Sequence, residues 1–182
     1  MVYCLNYTGD SGAHSRDFML ILRRMNKASN CKPLAGLMAR PVRLLEDESA
    51  MQALGKELAE TLPAGSLVTL SGELGAGKSV LVRAIIHTLG YTGRVKSPTY
   101  TLIESYEVPL EGGKLTRIAH LDLYRLEDPA ELDYLGFDDV LAGHELVLIE
   151  WPEKGGDRVP KADLQISIRY AADDRRELTF SL

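Results

Sequence analysis

The sequence predicts a single α/β domain, a mixed β-sheet flanked by helices. Three observations carry that expectation. The chain has 182 residues, a length that suits one domain with a real core. Apolar runs of strand length, such as Leu67-Val68-Thr69-Leu70 and Leu146-Val147-Leu148-Ile149, alternate with segments of helical period. Between the first of these runs and the helix after it lies Gly72-Glu73-Leu74-Gly75-Ala76-Gly77-Lys78-Ser79, a glycine, four residues, then Gly-Lys-Ser.

In chain order, residues 1–37 show neither period over a useful length and read as coil: a disordered or spurious extension, with Met38 as the expected functional start. The two cysteines, Cys4 and Cys31, fall in this arm, have no metal-ligand spacing and read as unpaired thiols. Pro41 to Leu45 reads as a short strand. Asp47 then caps a helix whose apolar face is Met51, Leu54, Leu58 and Leu62, ended by Pro63-Ala64-Gly65. After the glycine loop, Val80 to Ile86 continues as a helix stopped by Gly90. Leu102 to Val108 and Leu115 to Leu123 read as a hairpin across Glu111-Gly112-Gly113. Pro129 to Leu135 suits a short helix with proline in its first turn, and Asp138-Asp139 reads as a solvated face. Leu146 to Ile149 is a fully buried strand, and Leu164 to Tyr170 pairs with Glu177 to Leu182 around Asp173-Asp174. The domain proper spans residues 38–182.

Strand, glycine loop and helix together make a P-loop NTPase-like frame. Glycines permit the turns that aim successive backbone N–H groups at phosphate oxygens, and the helix N-terminus favours the same anions. Lys78 supplies a point charge near the β/γ-phosphates, and the Ser79 hydroxyl is a candidate Mg²⁺ ligand. Such a loop needs an acid from a neighbouring strand. Asp122, after Ile118-Ala119-His120-Leu121, and Glu150, after Leu146 to Ile149, are the candidates, since ligands of open α/β sheets sit at the carboxyl ends of strands. Either could hold the metal or orient the attacking water. Ser97-Pro98-Thr99 lies one helix on, where nucleotide switches place a hydroxyl that senses the γ-phosphate. Trp151, the only tryptophan, reads either as a core or edge aromatic or as a ring near the nucleotide or a partner contact. His120 reads as a packed histidine rather than a ligand.

Composition narrows the partners. The arm carries five Lys/Arg against two acids, which leaves 16 basic and 24 acidic residues for the body. An acidic body argues against autonomous binding to nucleic acid, so any tie to RNA is expected through protein partners. No apolar run approaches the roughly 20 residues of a membrane span, and the expected compartment is the cytoplasm.

Four blocks in order, GELGAGKS (72–79), VKSPTYTL (95–102), HLDLYRL (120–126) and IEWPE (149–153), resemble the TsaE (YjeE) family over residues 39–182. The resemblance implies an ATPase of tRNA threonylcarbamoyladenosine synthesis that uses ATP and Mg²⁺. Its partners would be TsaD and TsaB, and it would support their turnover without transferring the threonylcarbamoyl group itself. It implies phosphate binding by Gly72, Gly75, Ala76, Gly77, Lys78, Ser79 and Val80, and Mg²⁺ at Ser79 and Glu150. Asp122 matches the family's acid, Thr99 its switch-like segment, and Arg175 its C-terminal arginine near the nucleotide. Two other readings compete. A small P-loop metabolite kinase would require an acceptor pocket and an arginine-bearing lid. A nucleotide-gated interaction module would bind ATP with negligible turnover. A GTPase is disfavoured because no Asn/Thr-Lys-x-Asp element is present.

Overall fold

In the computed structural model of the chain, residues 32–98, 100–109 and 115–182 are described. The expectations for the arm up to residue 31, for Thr99 and for the 111–113 turn lie outside these residues.

The elements alternate as expected for an α/β domain: α1 (Lys32–Met38), β1 (Val42–Leu45), α2 (Glu48–Thr61), β2 (Ser66–Gly72), α3 (Lys78–Thr88), β3 (Ile103–Pro109) and β4 (Leu115–Asp122). There follow α4 (Glu131–Tyr134), α5 (Phe137–Gly143), β5 (Leu146–Glu150), α6 (Pro152–Gly155), β6 (Leu164–Tyr170) and β7 (Arg176–Ser181). Seven strands form one sheet in the order β1-β7-β6-β2-β5-β4-β3. The middle four, β6, β2, β5 and β4, are parallel, and the pairs at both edges are antiparallel. No helix among the described residues is long and apolar enough to cross a membrane.

One reading from sequence is corrected. Residues 32–37, taken as coil, belong to helix α1, and Leu37 is buried in the main core. The solvated face expected at Asp138-Asp139 is observed: both acids are exposed in the first turn of helix α5, where the helix dipole favours them, and the buried Phe137 anchors that helix.

Side-chain alternation divides the core into two layers. Val68, Leu70, Ile118 and Leu148 face α2 and α3, packing with Met51, Leu54, Leu81 and Ile85. Leu67, Ala119, Leu121, Val147 and Ile149 face the other way, against Leu132 and Phe137. The same parity places His120, Asp122 and Glu150 on the α3 face, so the last turns of β4 and β5 deliver polar groups toward the start of α3. The expected cap of α2 is present, with the Asp47 carboxylate accepting from the Ala50 N–H at 2.8 Å. Against α3 the helix runs so close that a Cβ on Gly55 would overlap Ala84 Cβ.

Candidate functional site

The glycine loop leaves β2 and enters α3 through left-handed backbone: Gly72, Gly75 and Gly77 have φ of +141°, +76° and +107°. At Gly72 space demands glycine as well, because an added Cβ would collide with Ile168 O; at Gly77 the neighbour is the flexible end of Met51, and the backbone angle alone makes the demand. The tip of the loop is held from outside by the Tyr170 hydroxyl, which donates to Leu74 O at 3.0 Å.

Lys78 is 4% exposed. Its ammonium donates to Gly72 O at 2.7 Å and Glu73 O at 2.9 Å and lies 4.0 Å from the centre of the Trp151 ring. Burial pushes its pKa below the ordinary lysine value, and the nearby carboxylates of Glu150, Asp122 and Glu153 oppose that shift. The ring of Trp151 is positioned by a left-handed backbone turn, φ +58°, directly after β5, and packs at 5.0 Å against Tyr124.

One residue on, the Ser79 hydroxyl donates to Glu150 Oε2 at 3.0 Å. This contact joins the first turn of α3 to the carboxyl end of β5. The other oxygen, Glu150 Oε1, lies 2.8 Å from His120 Nε2, and both side chains are buried. Asp122 is the register partner of Glu150 on β4. Its carboxylate accepts from the Ser97 hydroxyl at 2.9 Å and from the Tyr124 N–H at 3.2 Å. Lys78, Ser79, Asp122, Glu150 and Trp151 therefore converge, with Ser97 alongside.

Arg175 does not join them. It pairs with Asp173 at 3.2 Å and Glu46 at 3.8 Å. The adjacent Arg176 instead stacks over Tyr170 at 4.2 Å and lines a hollow of about 150 Å³ with Met51, Gly75, Ala76, Gly77 and Val80. A larger cleft of about 380 Å³, lined by Thr69, Ser71, Glu153, Lys161 and Gln165, opens beside β2 and β6, but no residue of the 72–79 loop lines it.

The donors at Ser79 and Glu150 fit Mg²⁺. A hydroxyl and a carboxylate are hard oxygen ligands, and a magnesium ion bound by one or two protein oxygens takes phosphate and water for the rest. Among the described residues no three His, Cys, Asp or Glu side chains converge as a closed metal cage would require. Sequence reasoning missed His120 as a partner of Glu150 and Arg176 as a wall of the hollow. For His120 the signal was there: alternation puts it on the face of Asp122, two residues away.

The chain is similar to known proteins over most of its length. Residues 45–178 match the family model described as threonylcarbamoyl adenosine biosynthesis protein TsaE. The chain is 43% identical over 136 residues to the tRNA threonylcarbamoyladenosine biosynthesis protein TsaE of Haemophilus influenzae, covering 72% of this chain and 83% of that one. It is 38% identical to the protein of the same name from Bacillus subtilis, covering 71% of this chain and 78% of that one. Among solved structures, the crystal structure of Bacillus subtilis YdiB is similar with a TM-score of 0.62 at 31% identity, over 76% of this chain and 82% of that chain. With a family model matched across most of its length and relatives of this identity and coverage, the chain belongs to the TsaE family of threonylcarbamoyl adenosine biosynthesis proteins.

Proposed function

We propose that this protein is a Mg²⁺-dependent ATP hydrolase serving tRNA threonylcarbamoyladenosine synthesis in the cytoplasm. On this reading it assembles with TsaD and TsaB and does not transfer the threonylcarbamoyl group. The observation that carries the hydrolytic part is the 3.0 Å contact between Ser79 and Glu150, which spans the glycine loop and a separate strand. A turn that merely reversed the chain would need no carboxylate from β5.

The residues divide the work by position. Loop amides from Gly75 to Val80 cradle the phosphates at the start of α3. Lys78 exchanges its bonds to Gly72 O and Glu73 O for phosphate oxygens, keeping its charge where negative charge accumulates. Ser79 and Glu150 hold Mg²⁺. When bound, the ion would supply neutralisation of negative charge on the phosphates. Asp122, oriented by Ser97 and the Tyr124 N–H, stands on the adjacent strand as the group that orients water. Thr99 completes the switch segment. Trp151 covers Lys78, and Arg176 and Val80 wall the hollow where the rest of the nucleotide extends.

Phosphate release from ATP tests this, measured for the chain alone and with TsaB and TsaD, with and without Mg²⁺. Slow release alone, raised by the partners and abolished by chelation, is expected. Phosphate appearing on an added small molecule, or turnover indifferent to the partners, counts against the proposal.

A further inference from the structure

We infer that His120 is a positioning residue that fixes the carboxylate of Glu150 so that a single oxygen, Oε2, is presented to the metal. The inference rests on the nucleotide reading above and deepens it. His120 lies on β4 in register with Leu148, which makes it a diagonal neighbour of Glu150 on β5, and both point to the α3 face. Its Nε2 lies 2.8 Å from Glu150 Oε1, with side chains 1% and 2% exposed. Ser79 occupies the other oxygen at 3.0 Å.

The ring's second nitrogen identifies the donor. Nδ1 is buried with no hydrogen-bond partner among the described residues. A proton on Nε2 makes the ring donate to Oε1 and leaves a bare Nδ1. The opposite tautomer would bury an N–H without an acceptor and set two acceptors face to face. With the proton on Nε2, Oε1 accepts a buried hydrogen bond that turning toward a metal would break. The carboxylate plane is fixed between two donors from two different elements, and Oε2 faces Ser79. A packed histidine with only a space-filling role would not need to spend its one N–H on the acid of the site. Groups that set the orientation of a metal ligand act in this way, and their removal typically weakens metal affinity about 10- to 100-fold.

The test is calorimetric titration of ADP into the full-length chain, once with Mg²⁺ and once in EDTA, for the unaltered protein, His120→Leu and His120→Gln. The unaltered protein is expected to bind ADP more tightly with Mg²⁺. His120→Leu is expected to lose about tenfold of that advantage, with its affinity in EDTA within about twofold of the original. Gln places an amide N–H within reach of Oε1 and is expected to recover most of the loss. A full Mg²⁺ advantage in His120→Leu, or an equal loss with and without the metal, overturns the inference. If His120→Leu does not fold, His120→Asn replaces it, since its shorter side chain falls short of Oε1. The same loss is expected there, and an undiminished Mg²⁺ advantage overturns the inference. The two levels separate cleanly: an unaltered protein that binds no ADP defeats the nucleotide reading and this inference with it. An unaltered protein with a Mg²⁺ advantage that no His120 variant changes defeats this inference alone.

Discussion

Replacing Gly55 by alanine sets two effects of opposite sign against each other at the α2–α3 contact. In a free helix, alanine is better than glycine by about 1 kcal/mol. At position 55, however, the new Cβ would overlap Ala84 Cβ and lie 3.3 Å from both Ala84 C and Ile85 N. These neighbours are backbone atoms and a methyl group with no rotamer to turn, so α2 has to back away from α3. Overpacking of this kind costs about 1–3 kcal/mol. Overlap with atoms that cannot turn away puts this site in the upper part of that range, about 2–3 kcal/mol, and taking off the helix gain leaves a net loss of about 1–2 kcal/mol. The assay is urea unfolding followed by Trp151 fluorescence, and the expected result is a lower midpoint with an unchanged slope. A midpoint equal to or above that of the unaltered protein would refute the reasoning, because it would mean that the two helices have slack where a close approach is claimed.

Lys78→Met should leave stability within about 1 kcal/mol, since a buried charge is traded for an apolar chain, and should weaken ADP binding about 100-fold, measured by calorimetry. The same variant should also remove a pH effect. Lys78 has its pKa lowered by burial, so between the lowered and the ordinary value the unfolded chain holds more protons. Stability should therefore rise with pH across that window in the original protein and not in the variant. Because the Lys78 ammonium sits 4.0 Å from the ring of the only tryptophan, ADP should change Trp151 fluorescence by drawing that charge onto phosphate; an unchanged spectrum at saturating ADP would contradict this. Arg43→Leu removes the two-bond pair with Glu57 at 2.5 and 2.8 Å, a partly exposed contact worth about 1 kcal/mol or less. Glu57 has its pKa lowered mainly by the Arg43 hydrogen bonds, so the deficit in thermal stability should be full above the ordinary carboxylate pKa. It should vanish as pH falls through the lowered one.

The elements that could be read in the sequence are those whose signal is local. The glycine loop declares itself through residue types that its backbone angles require, α2 through Asp47 and its apolar spacing, and β5 through an unbroken apolar run ending in an acid. Glu150 was legible for the same reason. What could not be read depends on register or on contacts distant in sequence. In Asp174-Arg175-Arg176, Arg175 stays in the turn with Asp173 while Arg176 opens β7, and only the pairing of Tyr170 with Arg176 shows which one lies beside the glycine loop. The bond from His120 to Glu150 needs β4 beside β5 in one register, which neither strand states alone. Helices α1 and α5 have seven residues each and one main anchor apiece, Leu37 and Phe137, too little for a period to emerge.

The strand order has a consequence for how the chain is made. β2 carries the glycine loop, yet both of its neighbours, β5 and β6, come after residue 145. A ribosome releases Lys78 and Ser79 long before Glu150 exists to meet them, and pairing between distant segments is slow because closing the long loop costs entropy before its contacts form. The nascent chain thus has its cradle without its carboxylate, and both arrive together only when β5 slots between β2 and β4. Any ligand that needs both halves will recognise the finished fold alone and, by mass action, pull late folding intermediates toward it.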